Sequence, residues 1–275
     1  MTTTSNTTLY THDGLRLAGT LVEPEDQVER AVVLAHGGGA DREESGFFTR
    51  LADGLALVGV ASLRFDLRGH GESEGRQEDL TLSAVLNDMS TALALLLTET
   101  GAGRLSLLGA SFSGGIAAYF AAQRPGMLDR LVLANPLLNY KKRFIDDKPY
   151  WSHDEIDEKA GQELAENGFI AHSPTFKLGR PLLNEVFWLQ PHTVIGQIQT
   201  PTLLVHGTKD TLVPIESSRT AAAQLRAPHE LVEVEGAHHG FAVDNDPTFA
   251  DPTTREWQDS VIGTIAGWLT AEDQA

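Results

Sequence analysis

The sequence predicts an α/β protein: a mostly parallel central sheet with helices on both faces, interrupted by one inserted segment. Three observations carry this. Short apolar runs of strand length, such as RAVVLA (30–35), LVLA (131–134) and PTLLVH (201–206), lack polar alternation, as strands buried on both faces do. Between such runs lie segments whose apolar residues recur at helical spacing, and strands alternating with helices imply a parallel sheet. Each glycine-rich or polar signature also falls directly after a predicted strand, and sheets of this kind bind ligands at the carboxyl ends of their strands.

The elements follow in order. Residues 1–7 are polar and expected to fray. Residues 9–23 read as two strands about His12-Asp13-Gly14, a hairpin turn signal. The strand 30–35 opens into His36-Gly37-Gly38-Gly39. Residues 47–58 have helical spacing, with Phe48, Leu51, Leu55 and Val58 on one face. A strand at 60–65 leads into Asp66-Leu67-Arg68-Gly69-His70-Gly71-Glu72-Ser73, and 82–98 is a long amphipathic helix. The strand 131–134 ends at Asn135-Pro136. Residues 138–199 then mix charges, aromatics and proline and show no clear strand. Strand character resumes at 201–206, before Gly207-Thr208-Lys209-Asp210. Residues 214–225 read as a helix with proline in its first turn. The last strand, 230–234, is closed by Gly236-Ala237-His238-His239-Gly240-Phe241, and 256–269 is a terminal helix.

Composition bounds the function. At 275 residues the chain can bury the core of one large domain, and 41% hydrophobic with 21% charged residues is ordinary for a soluble globular protein. A net charge of −17 argues against nucleic acid and anionic membranes as partners. There is no cysteine, hence neither a disulfide framework nor a thiol nucleophile. The first residues, MTTTSNTT, lack the charged and apolar regions of a secretory signal, and no stretch approaches the length of a membrane span. A cytoplasmic protein is expected.

The chemistry centres on LSLLGASFSGGIAA (105–118). An apolar run enters Gly109, Ser111 follows two residues later, and Gly114 and Gly115 open an alanine-rich helical run. A serine on a sharp strand-to-helix turn projects its hydroxyl from the sheet edge and brings the next backbone N–H, that of Phe112, close enough to serve an oxyanion. The usual pattern has glycine two residues before and two after the serine, but Ser113 occupies the second glycine position. A second register, centred on Ser113, has Gly115 after it and Ser111 before it. The register on Ser111 is preferred because the strand then ends directly at Gly109. Ser111 needs an imidazole to take its proton and a carboxylate to orient that imidazole.

The segments VVLAHGGG, RFDLRGHGESEG, LLGASFSGG, PTLLVHGTKDTLVP and VEGAHHGF together resemble an α/β-hydrolase over nearly the whole chain. Among subfamilies the sequence is similar to the cinnamoyl and feruloyl esterase-like and the serine aminopeptidase-like hydrolases. The resemblance implies the α/β-hydrolase fold, with Asp210 of the HG-x-x-D pattern as catalytic acid and His239 of G-x-x-H-x-F as catalytic base. His238 competes with His239 by one residue of loop slack, and Asp244 and Asp246 are weaker alternatives for the acid because they follow the histidine. By the same resemblance Gly38 supplies the second oxyanion N–H. His36 is read as structural, and residues 66–73 as a braced turn without the lysine or spacing of a phosphate loop.

Residues 1–138 and 196–275 are therefore expected to form the core in two parts, with 139–195 inserted as a cap. Its aromatics include Trp151, Phe187 and Trp188, assigned as substrate-binding against the simpler reading that they pack the cap on the core. Lys141-Lys142-Arg143, the basic cluster of an acidic chain, reads as a solvated face in preference to an anion contact. The expected function is a serine esterase cleaving small carboxylic esters through an acyl-enzyme, without cofactor or metal. The alternatives are a thioesterase, amidase or aminopeptidase with the same residues, carbon–carbon hydrolysis or cofactor-free peroxidation on the same fold, or a non-catalytic homologue that binds a small ligand. The expected partner is a small-molecule ester or acyl compound, with no nucleic acid and no membrane; a homodimer is left open.

Overall fold

The computed structural model describes residues 2–272. Its centre is an eight-stranded sheet. The strands are β1 (Thr3–Tyr10), β2 (Arg16–Glu23), β3 (Arg30–Ala35), β4 (Val60–Phe65), β5 (Arg104–Ala110), β6 (Arg130–Ala134), and, beyond the inserted segment, two more at its far edge. The first helices are α1 (Phe47–Leu57), α2 (Leu82–Thr100) and α3 (Phe112–Gln123). The inserted segment carries the short strands β7 (Trp151–Ser152), β8 (Glu155–Ile156), β9 (Phe169–Ser173) and β10 (Phe176–Gly179), with α4 (Glu158–Asn167) and α5 (Arg180–Glu185). The chain ends with β11 (Thr202–Gly207), α6 (Glu216–Gln224), β12 (His229–Val234) and α7 (Pro252–Thr270). No helix among the described residues is long and apolar enough to cross a membrane.

The sheet order is β1-β2-β4-β3-β5-β6-β11-β12. β2 runs antiparallel to both its neighbours, and every pairing from β4 to β12 is parallel. From β3 the chain first builds outward through β4, then returns to place β5 on the other side of β3. The strand order therefore reverses between β3 and β5, where doubly wound sheets open a crevice at their carboxyl ends. Side chains alternate between the two faces of β3: Val32 and Leu34 join Phe48, Leu51, Val261 and Ile265 beneath α1 and α7, while Val33 and Ala35 join Val85, Met89 and Ile116 beneath α2 and α3. Burial on both faces explains why these strands read as unbroken apolar runs. Local chemistry fixes the helix ends: Thr81 Oγ1 accepts the Ala84 N–H at 3.0 Å to start α2, and Gly101, at φ 64°, ends it.

Two sequence expectations are corrected. Residues 3–7 do not fray: they pair with β2 from Thr3 opposite Glu23 onward, because ladder hydrogen bonds need no apolar side chain. The inserted segment is not strandless, for β7 pairs with β8 and β9 with β10 in two short antiparallel hairpins. Strands of two to five residues are too short for periodicity to register.

The turn after β4 is braced by buried charge. Arg68 donates to Asp88 on α2 at 2.6 and 2.7 Å and to Asp13 of the first hairpin at 2.9 Å, and the Asp88 side chain is wholly buried. Asp66 accepts from the Arg42 backbone and guanidinium and from the Glu72 N–H. Removing one member of a buried pair strands the other without water. Asp88→Ala is expected to lower unfolding free energy by about 3 kcal/mol in urea denaturation; a loss below about 1 kcal/mol would mean that exposed Asp13 alone satisfies Arg68.

Candidate active site

Four loops meet at the carboxyl ends of β3, β5, β11 and β12. The turn after β5 holds Ser111 at φ 48°, ψ −113°, a left-handed backbone that a non-glycine residue adopts only when its surroundings impose it. They do so from both sides: Ser111 N–H donates to Ala134 O and Leu137 N–H donates to Ser111 O, each at 2.9 Å. The close crossing of strand and helix admits no side chain at Gly109, where a Cβ would lie 2.5 Å from Ser113 O. Nor does it at Gly114, where a Cβ would meet Pro136 at 2.5 Å.

Ser111 Oγ donates to His239 Nε2 at 2.9 Å, and His239 Nδ1 donates to Asp210 Oδ2 at 2.6 Å. Asp210 follows β11, and its other oxygen accepts the N–H groups of Leu212 and Val213 at 2.9 Å. Burial opposes ionisation of Asp210, but the hydrogen bonds from His206 and His239 outweigh it and hold the carboxyl well below the usual carboxylate range. His206, wholly buried four residues earlier, lies 3.3 Å from Asp210 Oδ2. The sequence marked it only as the first letter of HG-x-x-D.

Of the paired alternatives, the structure brings His239 to Ser111, while the backbone N–H of His238 donates to Ala242 O at 2.8 Å. Ser113 is buried on the first turn of α3, and its hydroxyl donates to His36 O at 2.6 Å. Asp244 and Asp246 line the cavity beside Ser111 without meeting His239.

The turn after β3 is held on several sides. His36 is buried; its Nε2 accepts the Leu67 N–H at 2.9 Å and its Nδ1 donates to Gly37 O. Glu44 Oε1 accepts the Gly37 N–H, and His70 Nε2 accepts the Gly39 N–H at 3.1 Å. The N–H groups of Gly38 and Phe112 make no hydrogen bond among the described residues. Burial raises the Glu44 carboxyl despite the Gly37 N–H and nearby His239. Glu44 was not picked out from the sequence: within DREES it reads as a solvated charge, and only the left-handed backbone at Glu44 and Ser45 folds it inward.

A cavity of about 550 Å³ opens beside Ser111, walled by Phe47, Phe48, Phe241 and Phe249 with Glu44 and His239. Gly38 and Phe112 lie outside that wall, against Phe176 of β10: a Cβ on Gly38 would fall 2.9 Å from the Phe176 ring, whose centroid is 5.2 Å from that of Phe112. Trp151, Phe187 and Trp188 do not line the cavity. Trp151 and Phe187 pack on each other, ring centroids 6.1 Å apart, against the main core, and Trp188 is 88% exposed. The sequence shows how many aromatics the insertion has, but only the chain path decides which of them turns toward Ser111.

Two predictions follow from this geometry. Ser113→Ala is expected to lose about 1 kcal/mol of stability with the His36 hydrogen bond while keeping labelling of Ser111 by a serine-reactive probe within about tenfold of wild type; a collapse of labelling in a folded variant would place Ser113 in the chemistry. Burial, with His70 beside it, depresses His36 to about 3. Between the ordinary histidine value and about 3 the unfolded chain binds a proton that the folded one refuses, so stability falls as pH falls through that window. Urea unfolding at pH 7 and pH 4.5 is expected to show this loss, and His36→Asn, already weaker at pH 7, should show a shallower one; equal slopes would remove His36 as a cause.

Residues 26–246 match the family described as Serine aminopeptidase, S33. The chain is 28% identical over 244 residues to an uncharacterised protein of Mycobacterium tuberculosis, covering 88% of this chain and 72% of that protein. It is 24% identical over 289 residues to a monoacylglycerol lipase of Mycolicibacterium smegmatis, covering 94% of each. Among solved structures, Est1E from Butyrivibrio proteoclasticus with ferulic acid bound superposes with a TM-score of 0.76 at 21% identity, covering 94% of this chain and 99% of that one. The strand order, the turns that converge on Ser111 and the match over residues 26–246 agree, and the chain belongs to the serine aminopeptidase S33 family of α/β-hydrolases.

Proposed function

We propose that the protein is a serine esterase that cleaves small carboxylic esters through an acyl-enzyme. The observation that carries this reading is the unbroken hydrogen-bonded line from Asp210 through His239 to Ser111 Oγ, on a turn whose backbone holds the hydroxyl out of the sheet. Ser111 Oγ attacks the ester carbonyl as His239 Nε2 takes its proton. Asp210, kept ionised, fixes the tautomer of His239 and balances the imidazolium. The carbonyl oxygen gains negative charge and accepts from the N–H groups of Gly38 and Phe112. His239 then gives its proton to the departing alcohol, and a water activated by the same imidazole releases the acid. Residues 139–195 serve as the cap, with Phe176 rather than Trp188 as the aromatic closing over Gly38 and Phe112.

The ester reading is favoured over the amide one by two relatives: a monoacylglycerol lipase that aligns along 94% of both chains, and Est1E, solved with ferulic acid. A fluorophosphonate probe is expected to label Ser111. Ser111→Ala should lower p-nitrophenyl acetate turnover by about several thousand-fold or more. Folded wild-type protein that takes no label and turns over no ester would sink the esterase reading in favour of a ligand-binding homologue.

A further inference from the structure

A second cavity, of about 540 Å³, lies beside the one at Ser111, and Thr211 and Leu212 line both. Leu137, Ile195, Val213 and Ala221 make its wall apolar, and the inserted segment contributes Arg143. The other charges on its wall, Lys142 and the carboxylates of Asp147 and Glu216, have partners. Lys142 pairs with Asp147, and Glu216 lies 3.4 Å from Arg219. Lys141, the remaining member of the basic run, pairs with Asp146 and Asp154 at 2.7 Å. The two lysines are paired with solvent-exposed aspartates, as a solvated face would be, and Arg143 is the member of the run that lines the cavity without an ion-pair partner among the described residues.

Arg143 is partly buried and has no carboxylate within ion-pair distance among the described residues; the same is true of Lys148. The two lie close enough to each other and to His172 to act on it electrostatically. Burial and Arg143 pull the Lys148 ammonium down against the opposing pull of Asp147, while burial, Lys148 and Arg143 push the His172 imidazole down to about 4. His172 Nδ1 is buried without a hydrogen-bond partner. The same ring packs on Phe144 at 5.1 Å and on Phe176 at 6.1 Å between centroids, so the basic group adjoins the aromatics over Phe112. In a chain with 38 acidic residues, Arg143 lines an apolar cavity with no carboxylate within ion-pair distance among the described residues, which leaves its guanidinium free to meet an anion from outside.

We propose that this second cavity is a substrate subsite for an anionic group of carboxylate size, and that Arg143 is the residue that selects it. The inference rests on the esterase reading and sharpens it: the substrate is an apolar ester that carries a negative charge, with its scissile carbonyl at Ser111 and its charged end across Leu212. Guanidinium and carboxylate then form charge-assisted hydrogen bonds in a largely apolar surround. Lys148 adds positive potential without touching the ligand, and His172, kept neutral, adds none.

The test uses two matched ester pairs. One varies the acyl half, p-nitrophenyl hydrogen glutarate against p-nitrophenyl pentanoate; the other varies the leaving group, 3-carboxyphenyl butanoate against phenyl butanoate. In wild-type protein the charged member of at least one pair is expected to lead by about tenfold or more in kcat/KM. Arg143→Met should erase that ratio, mostly through KM, and Arg143→Lys should keep part of it. A wild-type protein without preference in either pair, or an Arg143→Met loss equal for both members, overturns the subsite; if the fluorophosphonate probe still labels Ser111, the esterase reading stands. Absence of both labelling and turnover overturns the esterase reading and this inference with it.

Discussion

The structure depends on the left-handed backbone at Ser111. A serine at φ 48° costs conformational energy that only its surroundings can offset. The offset comes from the neighbouring strand and the turn itself: the carbonyl of Ala134 at the end of β6, the N–H of Leu137 just beyond it, and the tight meeting of Gly109 with the first turn of α3. Ser113 adds a tie to a third strand by donating to His36 O at the end of β3. The departure from the usual glycine therefore has a physical reason. The position is wholly buried, and a hydroxyl there couples the turn of Ser111 to the loop that holds Gly38.

Charge around the site is arranged by burial more than by number. The chain is strongly acidic, but the groups that matter are withdrawn from water. Asp210 is anchored by two backbone N–H groups and two histidines, so its charge has a fixed place and a fixed direction. His36 and His70 are kept neutral by burial and act as hydrogen-bonding joints in the turns after β3 and β4. Glu44 joins them by holding the Gly37 N–H. With Gly37 and Gly39 bonded to side chains, the Gly38 N–H is the one between them left for a ligand.

The inserted segment has a different economy. Its aromatics divide between those that pack on the core, such as Trp151 and Phe187, and a group of Phe144, His172 and Phe176 that stands over Phe112 and Gly38. Edge-to-face ring contacts are worth about 0.5–1.5 kcal/mol each beyond the area they bury, so the second group packs firmly over Phe112 and Gly38. Its basic residues divide by partner: Lys141 and Lys142 pair with nearby aspartates, while Arg143 lines the cavity with no carboxylate within ion-pair distance among the described residues.

The sequence by itself determined the sheet and the residues at its carboxyl ends. Strands buried on both faces must be apolar throughout, and turns that carry a nucleophile need glycine and serine at fixed offsets, so β3, β5, β6 and β11 and the positions of Ser111, Asp210 and His239 were legible as local pattern. The choices between Ser111 and Ser113, and between His238 and His239, were not local. Each is decided by contacts made across roughly eighty to one hundred and thirty residues, Ser113 with His36 and His239 with Ser111. The tertiary structure alone turned Glu44 inward, set His206 beside Asp210, brought Phe176 rather than Trp188 over Gly38 and Phe112, and left Arg143 without the aspartate partners of the two lysines before it. In each case the deciding quantity is what surrounds a side chain once distant segments pack, and one-dimensional periodicity carries no record of that.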